Sequence, residues 1–227
     1  MNSKGKRCVV LLSGGLDSAT ALYFAKKKRF LPFCLIFDYG QRHRREIKSA
    51  EKIARSAGCS YRIVKIALPW LGSSLLDKNL KIPEASKVPA TKAIPSTYVP
   101  GRNIIFLSFA LSLAEVIKAE AIFIGANAVD YSGYPDCRPE FYRAFEKVIS
   151  RGTKAGVEKI KIKIRTPLIN LTKAQIIELA ASLKVPYGLT WSCYQGKRQP
   201  CGKCDSCFYR AKGFQEAGLK DPALGAE

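Results

Sequence analysis

Short apolar runs alternate with segments of helical periodicity along most of the chain. Runs of this kind, with little internal alternation, are typical of parallel strands that are buried on both faces. The clearest are Arg7 to Leu12, Leu31 to Phe37, Tyr61 to Ala67 and Ala121 to Ile124. Between them we predict an amphipathic helix, whose apolar face is marked by Ile47, Ala50, Ala54 and Ala57. A second helix is predicted to be more completely buried and is marked by Ile105, Phe106, Phe109, Leu113 and Ile117. The alternation predicts a doubly wound, mostly parallel, Rossmann-like α/β sheet with its ligand crevice at the carboxyl ends of the strands.

The rest of the chain is less periodic. We predict a further strand within Lys159 to Arg165 and a helix over Leu171 to Leu183 with Thr172 as its N-cap. The connection from Pro69 to Pro100 contains five prolines and is too long for a passive loop, so part of it is predicted to be a mobile flap. We expect a nucleotide-binding α/β domain over residues 1–170 and a C-terminal helical segment over residues 171–227.

A glycine turn joins the first predicted strand to a helix, and its sequence is Ser13-Gly14-Gly15-Leu16-Asp17-Ser18. Backbone N–H groups at a helix N-terminus bind anions, and glycines let the chain approach a phosphate closely. The turn has neither a Walker A lysine nor G-x-G-x-x-G, and it resembles the PP-loop of ATP pyrophosphatases, which cleave ATP between the α and β phosphates. We favour ATP over an ordinary turn capped by Ser13 or Asp17. The predicted ATP-binding residues are Leu12, Ser13, Gly14, Gly15, Leu16, Asp17, Ser18, Ala19, Thr20, Ala21 and Leu22.

Composition and charge limit the class of protein. The 227 residues are 47% hydrophobic, enough for one large core with or without a small appendage. The net charge of +20 suggests a nucleic-acid partner. However, the basic clusters do not interleave with aromatic residues as they do in single-strand binders, so we expect no nucleic-acid partner. We favour a solvated basic surface that attracts ATP. The apolar run from Cys8 to Leu12 is too short for a signal peptide, and no later run approaches a membrane span. We expect a cytoplasmic location.

The C-terminal cysteines Cys193, Cys201, Cys204 and Cys207 follow the pattern C-x7-C-x2-C-x2-C. Four thiolates can close a tetrahedral zinc site, and such a site is structural because it leaves no open position. Burial and an iron–sulfur cluster are the alternatives, and we favour zinc. Cys8, Cys34 and Cys59 are predicted to fill the core. A nucleophilic role for Cys137 would need a nearby base, and His43, the single histidine, is distant in sequence.

A polar loop follows the fourth predicted strand, from Asn127 to Glu140. It contains carboxylates, two phenols and an arginine, which suit a planar ligand that forms hydrogen bonds, such as a guanine-like ring. The same residues could equally form a turn in which Asp136 or Pro139 begins the next helix.

Several motifs together resemble the 7-cyano-7-deazaguanine synthases of the queuosine pathway. They are the PP-loop from Leu12 to Leu22, the segments Ser96 to Asn103, Asp130 to Glu140 and Thr190 to Tyr194, and the four-cysteine cluster. The resemblance implies that ATP drives the conversion of 7-carboxy-7-deazaguanine and ammonia into the nitrile, with a zinc-bearing C-terminal segment and a homodimer. It implies catalytic roles for Asp17, Ser18 and Arg102, and deazaguanine binding by Asp130, Tyr131, Asp136, Arg138 and Glu140.

The implied chemistry agrees with the residues. A carboxylate resists attack by ammonia until its oxygen becomes part of a leaving group, and adenylation supplies AMP. A second activation could then remove the oxygen of the resulting amide. We expect Asp17 to face magnesium, because a bare carboxylate would repel the phosphates. No side chain is an obvious general base.

Two alternative functions remain. One is an RNA-binding, tRNA-modifying PP-loop enzyme that transfers sulfur, and the other is a nucleotide-binding regulatory module without catalysis.

Overall fold

A computed structural model describes residues 5–85, 94–129 and 133–223. Its centre is one five-stranded sheet in which every pairing is parallel, as predicted. The strands are β1 (Lys6–Leu11), β2 (Phe30–Asp38), β3 (Ser60–Lys65), β4 (Ala121–Ile124) and β5 (Lys163–Arg165). The helices are α1 (Leu16–Lys27), α2 (Arg45–Ser56), α3 (Arg102–Val116), α4 (Pro139–Gly152), α5 (Lys154–Val157), α6 (Lys173–Ser182) and α7 (Asp205–Glu216).

The strand order is β3-β2-β1-β4-β5. From β1 the chain first builds the sheet in one direction and then crosses to the other side of β1 to add β4. Ligands of doubly wound sheets bind where the order reverses in this way. The carboxyl ends of β1 and β4 therefore mark the expected crevice, and the predicted PP-loop directly follows β1.

Each face of the sheet carries its own apolar layer. Helices α3 and α4 cover one face, while α1, α2, α6 and α7 cover the other. The second layer includes Cys8 and Cys34, with Cys59 at its edge, as predicted for core cysteines. It also includes Ile177 and Ala180 of α6, so the C-terminal segment shares apolar packing with the sheet. The division at residue 170 stays a prediction.

The predicted burial of α3 was partly wrong. Its buried side chains are Asn103, Leu107, Ala110, Leu111 and Ala114, whereas Phe109 is 42% exposed. Small alanines let the helix lie close to the sheet, so the bulky residues that suggested full burial flank the contact or face outward. By contrast, the buried face of α2 is confirmed, with Ile47, Ala50 and Ala54 on it.

The less periodic segments agree with the sequence in part. Strand β5 is shorter than expected and begins at Lys163, because α5 and the turn after it occupy the preceding residues. Helix α6 begins after Thr172, whose side chain forms a capping box with Gln175. Within the long connection, Ser73, Ser74, Leu75 and Leu76 are buried, whereas Trp70, Leu71 and Leu80 are exposed. Residues 86–93 lie outside the described residues, and the mobile flap stays a prediction. Of the helices described, none is long and apolar enough to cross a bilayer.

Candidate active site

The PP-loop leads from β1 into α1 and is held by its own serines. Ser18 Oγ lies 3.2 Å from the backbone nitrogen of Ser13 and 3.1 Å from Ser13 Oγ, and it donates to the carbonyl of Gly15 at 3.0 Å. Gly15 is the N-cap of α1 and provides no side-chain cap. The first N–H groups of α1 therefore remain available to an anion.

Two glycines allow close backbone approaches at this loop. A Cβ on Gly14, whose φ is +88°, would lie 2.7 Å from the backbone nitrogen of Ala50 and nearer still to the carbonyl oxygen of Glu46. A Cβ on Gly125, which follows β4, would lie 2.6 Å from the carbonyl carbon of Asp17. Any side chain here would push α2 or β4 away from the loop.

Asp17 pairs with a lysine from the C-terminal segment. Lys173 Nζ lies 2.8 Å from both carboxylate oxygens of Asp17, and the Lys173 side chain is only 10% exposed. The pair places one cation and one carboxylate beside the PP-loop, where ATP phosphates and a divalent cation would need them.

The PP-loop opens into a cavity of about 280 Å³. Its wall combines phosphate-type ligands with aromatic rings and charged side chains. Besides apolar residues it is lined by Ser13, Gly15, Asp17, Ser18, Tyr39, His43, Glu46, Thr97, Arg102, Asn103, Gly125, Asn127, Tyr134, Cys137, Lys173, Trp191, Ser192, Tyr194, Ser206 and Arg210.

Arg102 lies on the cavity wall among aromatic rings. Its Nη1 donates to Tyr39 Oη at 3.2 Å, and its guanidinium lies 5.8 Å from the Tyr39 ring and 6.0 Å from the Phe106 ring. Burial raises the pKa of Tyr39 to about 12, so this phenol stays protonated at neutral pH. The cavity wall also carries Tyr134, whose Oη lies 2.6 Å from Thr97 Oγ1.

Asp136 lies behind this wall, outside the cavity lining. Its Oδ2 accepts from the backbone N–H of Asn103 at 3.4 Å, while its own carbonyl accepts from Asn103 Nδ2 at 3.2 Å. Burial raises the pKa of Asp136, and the Arg102 charge opposes that shift. The neighbouring Cys137 does line the cavity, but burial and then the Asp136 charge raise the pKa of its thiol to about 12. It is therefore a neutral thiol at physiological pH.

The structure brings His43 to the same cavity, although it is far from the other site residues in sequence. Its Nε2 lies 3.2 Å from Glu46 Oε1, and the ring faces Tyr194 with 5.7 Å between ring centroids. Gln41 Nε2 also reaches Glu46 Oε1, at 3.1 Å. His43 and Cys137 line one cavity.

The predicted site residues fall into separate groups. Leu12, Ser13, Gly15, Leu16, Asp17, Ser18 and Arg102 line the cavity, whereas Gly14 shapes the loop and Ala19, Thr20, Ala21 and Leu22 are buried in α1 outside the lining. Arg138 and Glu140, at the start of α4, are exposed and outside the lining. Asp130 and Tyr131 lie outside the described residues. Ligand binding by these residues stays a prediction.

The four C-terminal cysteines converge as their spacing predicts. Their sulfur atoms lie within 4.8 Å of one another, with 3.9 Å between Cys201 Sγ and Cys207 Sγ. Four sulfurs at about 2.3 Å from a tetrahedral zinc would be about 3.8 Å apart, so the geometry fits a bound metal ion. Hydrogen bonds from the thiols of Cys204 and Cys207 lower the pKa of Cys193, which favours its thiolate form.

The cysteine cluster is connected directly to the cavity. Cys204 is the N-cap of α7, and one turn beyond Cys207 the side chain of Arg210 reaches Thr190 Oγ1 at 2.8 Å and Ser192 Oγ at 3.2 Å. Asp221 holds Arg210 through two contacts of 2.6 and 2.8 Å. A metal at the cysteines would thus fix a segment that forms part of the cavity wall.

A parallel sheet of this order, with a glycine turn at the switch point and an anion-ready helix N-terminus, defines a PP-loop-type α/β protein. The family profile described as queuosine biosynthesis protein QueC matches residues 7–218. The chain therefore belongs to the QueC family.

Curated relatives agree with this assignment. A protein of Thermoplasma volcanium named 7-cyano-7-deazaguanine synthase is 51% identical over 96% of this chain and 90% of its own length. One of the same name from Acetivibrio thermocellus is 54% identical over 95% of this chain and 96% of its own length. Among solved structures, an NMN synthetase from Francisella tularensis matches 97% of this chain and 80% of its own, with a TM-score of 0.52 at 20% identity, which indicates a shared fold.

Sequence reasoning missed several residues of the cavity wall. Tyr39, His43 and Glu46 follow the carboxyl end of β2, and the rule that singled out the ends of the strands could have found them. Lys173 and Arg210 had no such signal, because only the packing of α6 and α7 brings them to the cavity.

Proposed function

We propose that this chain uses ATP to convert 7-carboxy-7-deazaguanine and ammonia into 7-cyano-7-deazaguanine, in queuosine or related deazapurine biosynthesis. The observation that carries the proposal is the cavity, which joins a PP-loop to Arg102, Tyr39 and Tyr134 in a chain half identical to proteins named 7-cyano-7-deazaguanine synthase. Phosphate ligands thus lie beside groups suited to an aromatic, hydrogen-bonding substrate.

ATP would bind with its phosphates at the PP-loop. The N–H groups at the start of α1, which no side chain caps, would face the phosphates, and Lys173 would supply a positive charge. Asp17 offers the carboxylate that a magnesium ion prefers, and phosphate binding would draw Lys173 toward the anion. Magnesium would neutralise charge on the phosphates. Ser18 holds the loop in shape, so its hydroxyl contributes by positioning.

Activation by adenylation explains both halves of the reaction. The substrate carboxylate attacks the α-phosphorus of ATP, pyrophosphate leaves, and ammonia then displaces AMP to form the amide. The amide oxygen attacks a second ATP in the same way, and loss of AMP with the nitrogen-bound protons gives the nitrile. Positioning and charge stabilisation supply most of the catalysis in such a scheme.

Arg102 is the residue best placed to hold the substrate carboxylate near the PP-loop. Its guanidinium is charged, partly buried and fixed by Tyr39. Asp136 supports this wall by bonding Asn103, and we propose that it affects deazaguanine binding through that support. Asp130, Tyr131, Arg138 and Glu140 remain proposed contacts of the deazaguanine on the strength of the family resemblance alone.

We propose zinc as the ion at the cysteine cluster. Its preferred four-thiolate geometry matches the sulfur spacing, and such a site has no open position for chemistry. The metal would hold α7 and the segment at Trp191, whose backbone N–H donates to the Gly14 carbonyl at 2.9 Å. Free thiols must stay reduced to bind zinc, which supports a cytoplasmic location.

We propose that the protein is a homodimer. Helix α3 exposes Phe109 and Val116, which lie seven residues apart and therefore on one side of the helix, the latter with 77% of its surface accessible. An apolar face of this kind is suited to a second copy of the same surface. Sedimentation of the wild type and of Phe109→Glu would test it: a wild-type monomer at micromolar concentration would contradict the proposal.

The function is tested by incubating the purified protein with ATP, magnesium, ammonium and 7-carboxy-7-deazaguanine. Mass spectrometry should detect the nitrile, and the Asp17→Ala variant should form none. Absence of nitrile with the wild type would contradict the proposal. In that event, transfer of sulfur to tRNA would be the alternative to examine.

A further inference from the structure

A buried ion pair connects the C-terminal part of the chain to the cavity wall. Arg210 of α7 is 7% exposed and lines the cavity, and the side chain of Asp221 is 3% exposed. Arg210 Nε donates to Asp221 Oδ2 at 2.6 Å, and Nη2 donates to Oδ1 at 2.8 Å, so the pairing is bidentate. The family match ends at residue 218, and Asp221 lies beyond it.

The third nitrogen of the guanidinium reaches two hydroxyl groups on a neighbouring segment. Nη1 of Arg210 donates to Thr190 Oγ1 at 2.8 Å and to Ser192 Oγ at 3.2 Å. A guanidinium is planar and its N–H groups point in fixed directions, so the two carboxylate contacts determine where Nη1 points. Asp221 thereby sets the direction of the contacts to both hydroxyls.

The residue between those two hydroxyls contacts the PP-loop through its backbone. The Trp191 N–H donates to the Gly14 carbonyl at 2.9 Å. A Cβ on Gly15 would lie 3.6 Å from the Trp191 carbonyl oxygen, so the same peptide segment lies against both glycines of the loop. A continuous series of contacts therefore runs from the carboxylate of Asp221 through Arg210 to the PP-loop.

Stability alone is a weak explanation for this ion pair. Taking two charges out of water costs about as much as their attraction returns, so an apolar pair of similar size could serve stability equally well. A bidentate guanidinium, however, fixes a geometry that an apolar pair would not. Geometry matters at this wall, because the N–H groups of a phosphate-binding loop act best when they are oriented before the anion arrives.

We propose that Asp221 and Arg210 are positioning residues that hold the PP-loop in its ATP-binding geometry. The inference rests on the proposed function. Asp221 orients the guanidinium, and the guanidinium holds the hydroxyls on either side of Trp191. The Trp191 N–H in turn holds the Gly14 carbonyl. Neither charged residue forms or breaks a bond, and their effect falls on the affinity for ATP.

Charge and position predict opposite results for Asp221→Ala. Removal of the carboxylate leaves Arg210 uncompensated beside the cavity, and charge alone would make ATP bind more tightly. Loss of position should instead weaken the binding of magnesium ATP in calorimetry by about 10-fold or more, because a charge-assisted contact no longer holds the loop. Glu216→Ala is the matched control. It removes one carboxylate from α7, where Glu216 lies 3.7 Å from Lys212 on an exposed face, and should bind ATP as the wild type does.

Two further comparisons separate position from charge and from general loosening. Arg210→Lys keeps the charge but cannot make the bidentate contact and reach both hydroxyls, so it should bind ATP as weakly as Asp221→Ala. Arg210→Ala combined with Asp221→Ala should bind no more weakly than either single variant, because the two residues act as one unit. In steady-state assays of Asp221→Ala the KM for ATP should rise while the KM for ammonium does not change.

Several results would overturn the proposal. They are unchanged or tighter ATP binding by Asp221→Ala, wild-type binding by Arg210→Lys, additive losses in the double variant, and a parallel rise of both KM values. Circular dichroism reports whether each variant is folded. If Asp221→Ala does not fold, Asp221→Asn keeps the shape and one acceptor, and its binding of ATP at wild-type affinity would overturn the role. A wild type that binds no ATP would instead overturn the proposed function.

Discussion

Helix α7 lies against α6 at a position where only glycine fits, and this contact connects the cysteine cluster to the PP-loop. A Cβ on Gly213 would lie 2.9 Å from Ile177 Cδ1, 2.9 Å from Lys173 Cβ and closer still to Lys173 Cγ. Ordinary Cβ contacts begin at 3.4 Å, so the substitution Gly213→Ala requires the helices to separate by at least half an ångström. Lys173 is the residue that pairs with Asp17, so the strain falls on the proposed ATP site.

The size of the effect follows from a matched pair of variants. Forcing a methyl group into packed structure costs about 1–3 kcal/mol, while replacing glycine by alanine in a helix contributes up to about 1 kcal/mol of stability. Gly152, the last residue of α4, has open space around its Cα, so Gly152→Ala measures the helix contribution alone. Gly213→Ala should therefore be less stable than Gly152→Ala by about 1–3 kcal/mol.

Urea unfolding of the two variants, followed by circular dichroism, gives this difference directly. Calorimetric titration with ATP should also show weaker binding to Gly213→Ala. The loss in affinity should be about 10-fold or more if one charge-assisted hydrogen bond from Lys173 is lost. Equal stability and equal ATP affinity of the two variants would refute the tight α6–α7 contact as the support of Lys173.

Further outcomes follow from the same geometry. Cys204→Ser should lose most of one bound metal equivalent per chain and loosen the C-terminal segment, as metal analysis and proteolysis would reveal; iron in place of zinc in the wild type would contradict the zinc assignment. Arg102→Ala should weaken deazaguanine binding about 10-fold or more in calorimetry, and a larger loss with Arg138→Ala would move the carboxylate site to the start of α4. The Cys34 thiol hydrogen bond and then the Lys26 charge lower the pKa of Cys59 to about 7, and burial raises that of Cys137 to about 12. At pH 8 iodoacetamide should therefore modify Cys59 well before Cys137, and mass spectrometry showing the reverse order would contradict those environments.

Patterns that depend on local sequence were read correctly. The four predicted runs appear as β1 to β4, although β3, whose run contains Arg62 and Lys65, lies at the edge of the sheet and has no buried residue. The Thr172 capping box fixes the start of α6 from local sequence alone. The cysteine cluster also converged as expected, because short spacings limit where the four sulfurs can lie.

Features that depend on distant packing were not accessible in the same way. The exposed bulky face of α3 was read as buried, because periodicity reports amphipathicity but not which apolar residues the sheet covers. The polar loop after β4 was read as one binding surface, yet Asp136 lies behind the cavity wall and Arg138 faces outward at the start of α4. His43 was judged remote because sequence distance hides the proximity of neighbouring strand ends.

The central claim is that the carboxylate is activated by adenylation at the PP-loop. It is tested by supplying 7-carboxy-7-deazaguanine with both carboxylate oxygens labelled as ¹⁸O and analysing the nucleotide products by mass spectrometry. We predict two AMP molecules per nitrile, each with one ¹⁸O in its phosphate, because each activation transfers one carboxylate oxygen to an α-phosphorus. Appearance of the label in inorganic phosphate together with ADP would contradict adenylation and place the attack at the γ-phosphorus.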